Sequence, residues 1–253
     1  MSKGEDPLFV SALARGLDIL RCLADAGIGL TVSEVARHLG LPQASVWRLC
    51  HTLLELGFLE KAGQDRLRPG LAVLTLGHAT LMGKPLAELG RARMLEIATR
   101  WGGALSLGCR EDCDMVYVQR VEGASPIFTG LRVGARVSIL SSAMGWAYLA
   151  GLAQVAQSAL LKELKRRFPD EYRRVESTLL VSLREFPQRG VVVNEGVLHP
   201  ELNAIAVPVP SGGEEPEACL SFGGARSKFS VKQLESNVGP QLVSLSKSLA
   251  LLR

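Results

Sequence analysis

Residues 31–68 constrain the fold of this chain more than any other stretch. Thr31 and Glu34 are spaced as a capping box, in which each side chain satisfies a free backbone donor at the start of a helix. We expect this helix to end at Gly40, and a second helix and a short hairpin over 58–68 to follow. Two short helices, a tight turn and a hairpin are the parts of a winged helix-turn-helix, which places its second helix in the major groove of DNA.

The second helix of this module has an apolar stripe and a polar one. Val46, Leu49 and Leu53 recur at helical spacing and predict the core face. Arginine suits guanine or phosphate, and the cations of a wing suit phosphate. For Trp47, packing on a neighbouring helix or on the wing is an equal alternative to DNA contact. The predicted DNA-binding set is Gln43, Ala44, Ser45, Trp47, Arg48, His51, Lys61, Arg66 and Arg68.

Charge, cysteine content and hydrophobicity limit the classes of protein to which this chain can belong. The formal net charge is +4, but residues 1–70 hold eight Lys and Arg against eight Asp and Glu, so only the placement of charge can indicate DNA binding. Five scattered cysteines do not indicate a disulfide framework, and we expect no metal site at Cys109 and Cys113, which bracket a turn. The sequence has neither a signal peptide pattern nor an apolar run long enough for a bilayer, so we expect a cytoplasmic protein without a membrane partner.

The order of the other elements predicts an α+β fold with a largely antiparallel sheet. A helix over 11–26 precedes the winged module, and a leucine-rich helix over 71–82 follows it as a linker. The apolar stripe of the linker helix would face a partner or pack on its own domain, and periodicity does not separate the two. The later predicted elements are a helix at 86–101, strands at 104–110, 115–121 and 127–132, a helix from Ser141 or Ser142 to 152, helices to about 188, strands at 190–194, 204–210 and 217–223, and a helix at 231–252.

Several short motifs, taken in order, resemble the IclR family of bacterial transcriptional regulators, and the match runs nearly end to end. Ala44 departs from the pattern, since a hydroxyl residue is usual there, and so does Trp146, where Lys or Arg is more frequent. The motifs are ALARGLDIL at 12–20, LPQASVWRL at 41–49, VYV at 116–118, GAR at 134–136, SAMG at 142–145, AYLA at 147–150, RG at 189–190, IAVP at 205–208 and LSFGG at 220–224.

This resemblance implies three parts: a winged helix-turn-helix over 1–70, a linker helix over 71–84, and a GAF-like effector-binding and oligomerisation domain over 85–253. It also places an effector between the 134–145 segment and the later strands. Arg132 and Arg136 could each bind a carboxylate through two hydrogen bonds. The helix that begins near Ser142 offers free backbone N–H groups to an anion. Alternatively, the arginines are surface charges and Ser142 is only a helix cap. The candidate effector-binding residues are Arg132, Arg136, Ser142, Met144, Gly145, Asn194, Ala204 and Ser221.

We therefore expect a ligand-responsive DNA-binding regulator. Its expected partners are a roughly palindromic double-stranded DNA operator, a small organic or aromatic acid, and further copies of itself in a dimer or tetramer. We expect neither a cofactor nor catalytic residues, because common nucleophile, nucleotide and zinc motifs do not occur and His199 lies in a loop-like segment. One alternative is an enzyme or sensor whose winged helix contacts protein. Another is a constitutive DNA-binding protein whose second domain only oligomerises.

Overall fold

The computed structural model of the chain describes residues 7–124 and 130–252. The chain divides into two compact units between Gly83 and Lys84. The predicted linker helix therefore belongs to the first unit. Within the described ranges, no helix is both long and apolar enough to cross a membrane.

The first unit is the predicted arrangement of helices followed by a hairpin. The capping box of Thr31 and Glu34 is present, and Gly40 ends the helix in the left-handed conformation with φ of 63°. Pro42 is the residue just before the next helix, which begins at Gln43. The elements are α1 (Ser11–Ala26), β1 (Leu30–Thr31), α2 (Val32–Leu39), α3 (Gln43–Glu55), β2 (Leu59–Lys61), β3 (Arg66–Pro69) and α4 (Ala72–Met82).

One small core holds this unit together. Ile19 of α1, Val35 of α2 and Val46 of α3 are completely buried in it. The strands form a sheet in the order β1-β3-β2, in which Leu30 pairs with Leu67. The core therefore fixes which side of α3 faces inward.

Helix α4 has no buried residue, although most of its side chains are apolar. Leu74, Leu76 and Met82 are all more than half exposed. The prediction left open whether this stripe packs on its own domain, and the exposure of these side chains contradicts that alternative.

The second unit is a six-stranded antiparallel sheet with helices on its faces. The strand order is β6-β5-β4-β9-β8-β7. Its elements are α5 (Leu86–Leu89), α6 (Arg91–Trp101), β4 (Ala104–Glu111), β5 (Asp114–Glu122), β6 (Arg136–Ser138), α7 (Ala143–Ala150), α8 (Gln154–Arg167), α9 (Pro169–Arg189), β7 (Val192–Glu195), β8 (Leu202–Val209), β9 (Ala218–Ala225), α10 (Val231–Gln233) and α11 (Gly239–Leu251).

Helices α7 and α11 pack on the sheet from opposite sides. Met144 of α7 lies against Gly108, whereas Gly239 of α11 lies close to the side chain of Ile205. Ser142 caps α7 by accepting a hydrogen bond from the N–H of Gly145. The side of the sheet that α7 covers carries the cavity described below.

Three predicted elements differ from the structure. Of the predicted strand 127–132, residues 127–129 lie outside the described residues and 130–132 are not a strand; β6 at Arg136–Ser138 pairs with β5 instead. The helix predicted over 86–101 is divided at Gly90. The last helix contains a π-helical segment, Leu234–Val238, just before Pro240, which has no N–H to continue the regular hydrogen-bond ladder.

Candidate functional site

Helix α3 directs one face into the core and the other to solvent. Val46 and Cys50 are buried. Gln43, Ala44, Trp47, Arg48 and His51 are exposed, and Ser45 is partly exposed. The helical period places these residues on the side away from the core, so the predicted contact face is open in this unit.

Trp47 stacks on a residue of its own helix. The rings of Trp47 and His51 are 5.6 Å apart between centroids, with an interplanar angle of 5°. Trp47 remains 58% exposed. The ring contact that the structure shows is thus neither with a neighbouring helix nor with the wing, and the indole is still accessible to a partner.

A groove separates α3 from the wing, which is the hairpin of β2 and β3. It has a volume of about 1080 Å³ and is lined from α3 by Gln43, Trp47 and His51 and from the hairpin by Lys61 and Arg66. The groove thus brings members of the predicted DNA-binding set to one concave surface.

The wing arginines already have partners. The Nε of Arg68 donates to Glu60 over 2.6 Å, and Arg66 lies 3.5 Å from Glu34 and also donates to a backbone carbonyl. Lys61 makes no ion pair with any residue that the structure describes. Exposed ion pairs of this kind contribute only about 0–1 kcal/mol, so their exchange for phosphate costs little.

The second unit contains a cavity between its sheet and the start of α7. The sheet register explains the lining, because residues paired across neighbouring strands point to the same side. One row runs from Arg120 through Ser106 to Ser221, and the next row contains Ala204 and Asn194. The lining residues are Ala104, Ser106, Tyr117, Arg120, Leu131, Ser142, Ala143, Met144, Asn194, Leu198, Leu202, Ala204, Ser221 and Gly223.

A β-bulge determines which residues of β5 face this cavity. Leu107 pairs with Gln119, but the next residue, Gly108, pairs with Tyr117, so the register shifts by one residue. Tyr117 and Arg120 are therefore on the same side despite their odd spacing. Burial raises the pKa of the Tyr117 hydroxyl, which keeps it neutral.

Arg120 is the charged residue of the cavity lining. Its side chain is 9% exposed, and it donates to Ser106 Oγ over 3.1 Å. Its Nη2 also lies 2.8 Å from Oε1 of Glu122. A nearly buried guanidinium at the wall of a small cavity favours an anionic ligand.

The structure brings part of the predicted effector set together. Ser142, Met144, Asn194, Ala204 and Ser221 line the cavity. The amide of Asn194 donates to the Ser141 carbonyl over 3.0 Å, which fixes β7 relative to the start of α7.

Three members of the set lie elsewhere. Arg132 and Arg136 are exposed and are not among the lining residues, and Arg136 pairs with Glu111 and Asp114. Gly145 is buried against the backbone of Ile139, where a side chain would clash. The alternative of a surface charge thus describes Arg136 in this structure, and Gly145 is required for close packing.

Sequence reasoning missed Arg120, Ser106 and Tyr117. The available signal was an arginine inside the largely apolar segment 115–121, where a charge is unusual unless it has a partner. The partner and the side of the sheet depend on the bulge, which the sequence pattern does not reveal.

Among the residues that the structure describes, no group of possible metal ligands contains more than one cysteine. Asp112, Cys113 and Glu163 are close enough to be metal ligands. Arg167 lies among them, and its two terminal nitrogens each donate to Asp112 over 2.7 Å. The guanidinium supplies the positive charge that a metal ion would bring, and burial raises the pKa of the Cys113 thiol.

Comparisons with known proteins agree for both units. Residues 12–63 match the model of the IclR helix-turn-helix domain, and residues 78–250 match that of the bacterial transcriptional regulator IclR C-terminal domain. The chain is 28% identical over 248 residues to the Pca regulon regulatory protein of Pseudomonas putida, covering 96% of this chain and 84% of that protein. It is 25% identical to the HTH-type transcriptional regulator TsaQ1/TsaQ2 of Comamonas testosteroni, covering 92% and 84%.

Solved structures show the same fold. An IclR family transcriptional regulator from Brucella abortus has a TM-score of 0.76 and 28% identity, with 100% of this chain and 96% of that chain covered. An IclR homologue from Microbacterium hydrocarbonoxydans, complexed with 4-hydroxybenzoate, has a TM-score of 0.76 at 20% identity, with 96% and 100% covered.

Proposed function

The chain belongs to the IclR family of bacterial transcriptional regulators. From that premise we propose that its first unit binds DNA and its second unit binds a small-molecule effector. Helix α3 enters the major groove of an operator, and the cavity of the second unit binds a small organic or aromatic acid that modulates DNA binding. The open outer face of α3 is the observation that carries the DNA-binding part.

The chemistry of that face fits base and phosphate recognition. Gln43 and Ala44 are exposed at the start of α3, and Arg48 is exposed one turn further on. Arg48 makes no ion pair within the part of the chain that the structure describes, so its guanidinium is available for guanine or phosphate. Lys61, Arg66 and Arg68 of the wing would contact phosphate.

The apolar surface of α4 supports a dimer. Helix α4 has no buried face, and its side chains Leu74, Leu76 and Met82 are exposed. A second copy of α4 would cover this apolar surface. Two copies present two α3 helices, which match a roughly palindromic operator. A tetramer built from two dimers stays a prediction.

Effector binding requires the second unit to change. The cavity has a volume of about 40 Å³, which is room for a few water molecules and not for an aromatic acid. A ligand must therefore favour a conformation with a larger cavity. If that conformation also spaces the two α3 helices differently, binding of the acid changes operator affinity.

Further parts of the proposal concern location and chemistry. A regulator of the bacterial chromosome acts in the cytoplasm, without a membrane partner. The named relatives are transcriptional regulators, and the proposed role needs neither a catalytic residue nor a cofactor.

Selection from a random DNA library with the full-length protein tests this function. We expect enriched sites with twofold symmetry, and binding that weakens with salt but keeps its preference over unrelated DNA. Thermal unfolding with a panel of small acids tests the effector part, since a specific ligand raises the midpoint. Failure to enrich any sequence at any salt concentration would contradict DNA recognition and favour a protein-contact module.

A further inference from the structure

Arg120, which lines the cavity of the second unit, forms an ion pair with Glu122, which is not among the lining residues. Arg120 is held at the cavity wall with a side chain that is 9% exposed, whereas the side chain of Glu122 is 40% exposed. The cation is therefore fixed, and its carboxylate partner has access to solvent.

The pairing leaves the hydrogen-bonding capacity of the guanidinium partly unused. Both Nε and Nη2 of Arg120 donate to the same oxygen, Oε1 of Glu122, over 3.0 and 2.8 Å. Arginine binds a carboxylate best through two parallel hydrogen bonds to two oxygens. A free carboxylate, unconstrained by the backbone of β5, can adopt that geometry.

Two serine hydroxyls lie beside Arg120 and can also donate hydrogen bonds to a bound anion. Nη1 of Arg120 donates to Ser106 Oγ over 3.1 Å, and Ser106 pairs in register with Ser221. Both serines line the cavity together with Arg120. The hydroxyls supply donors beside the cation, whereas the apolar side chains of Leu131 and Met144 line other parts of the cavity.

We propose that Glu122 is an internal competitor of the effector. It neutralises Arg120 while the cavity is empty, and the carboxylate of an incoming monocarboxylic acid replaces it on the guanidinium. Released Glu122 is hydrated, and one carboxylate replaces another, so Arg120 is never left without a counter-charge. This inference rests on the proposed effector site of the second unit.

The exchange predicts a specific selectivity. An amide of the same shape carries no charge and cannot replace Glu122, because Arg120 would then lose its counter-charge in a nearly buried position. Acids are therefore selected over their amides by Arg120, and the affinity for acids is limited by Glu122.

Calorimetric titration of the full-length protein with sodium acetate and sodium benzoate, at constant ionic strength, tests the proposal. Acetamide and benzamide are the matched neutral probes. Glu122→Gln removes the competing charge, so we expect its dissociation constant for the acids to fall about tenfold relative to the wild type. Glu111→Gln is the control, because Glu111 pairs with Arg136 outside the cavity lining.

Two variants of the cation complete the design. Arg120→Met should lose the response to both acids, and circular dichroism establishes that it is folded. Arg120→Lys keeps the charge without the planar fork, so it should bind the acids more weakly than the wild type does.

Three results would overturn the exchange. One is an equal dissociation constant of the wild type and Glu122→Gln for the acids, and the absence of binding to both proteins counts as the same result. The others are a Glu111→Gln gain as large as that of Glu122→Gln, and amide binding as strong as acid binding. Operator selection with the wild type is a separate readout: its failure removes the regulator proposal, whereas a failed exchange leaves DNA binding intact.

Discussion

Replacement of Gly145 by alanine should destabilise the second unit strongly. Gly145 lies in the first turn of α7, which packs against Ile139. A Cβ at position 145 would lie 2.7 Å from the carbonyl carbon of Ile139, and closer still to its Cα and carbonyl oxygen. All three atoms belong to the backbone, so no side chain can rotate away to relieve the clash.

The size of the effect follows from the distance. Carbon atoms pack favourably at about 3.5–4.0 Å, so α7 must move by more than about 1 Å. Overpacking typically costs about 1–3 kcal/mol, and an obstacle made of backbone places this change near 3 kcal/mol. For a unit of this size the unfolding midpoint falls by about 2–4 °C per kcal/mol, which gives a decrease of about 6–12 °C.

Differential scanning calorimetry of the full-length chain measures this decrease. Gly16→Ala is the matched control, because Gly16 is inside helix α1 and a Cβ there meets nothing within 4 Å. Alanine favours a helix over glycine by about 0.5–1 kcal/mol, so the control should be neutral or stabilising. A decrease of less than about 2 °C for Gly145→Ala would refute the packing argument.

Two further changes test contacts in each unit. Hydrogen bonds from the backbone and side chain of Thr31 lower the pKa of Glu34. A carboxyl group whose pKa is lowered by folding stabilises the folded state at pH values above its unfolded-state pKa. This stability is lost as the pH falls through the folded-state pKa. Glu34→Gln should therefore flatten the acid side of the stability curve, measured by urea unfolding between about pH 3 and 6, and an unchanged curve would contradict this. Ser182 bonds both the N–H and the carbonyl of Val193 at the edge strand β7. Ser182→Ala should cost about 1–3 kcal/mol in urea unfolding, and a loss within error would show that water replaces these bonds.

The first unit could be predicted from sequence in detail because its signals are local. A capping box and a left-handed glycine act over a few residues, and the structure has both at Thr31 and Gly40. The face of α3 followed from helical spacing for the same reason. The stacking of Trp47 on His51 was not predicted, although these residues are one turn apart.

The cavity was only partly predictable because its lining depends on contacts distant in sequence. Ser142, Asn194 and Ala204 were found through the family resemblance. Arg120 depends on a register shift near Gly108, which moves it to the same side of the sheet as Tyr117. A pattern of alternating residues carries no information about such a bulge.

One pair of operator affinities tests whether the outer face of α3 reads DNA. Anisotropy titration of the selected operator should show about 5- to 150-fold weaker binding for Arg48→Ala than for the wild type, with a smaller loss on unrelated DNA. Arg21→Ala is the control, since Arg21 is an exposed cation on α1 whose partner is Asp18. Operator affinity that is unchanged in Arg48→Ala, or reduced equally by Arg21→Ala, would contradict a DNA-reading role for this face of α3.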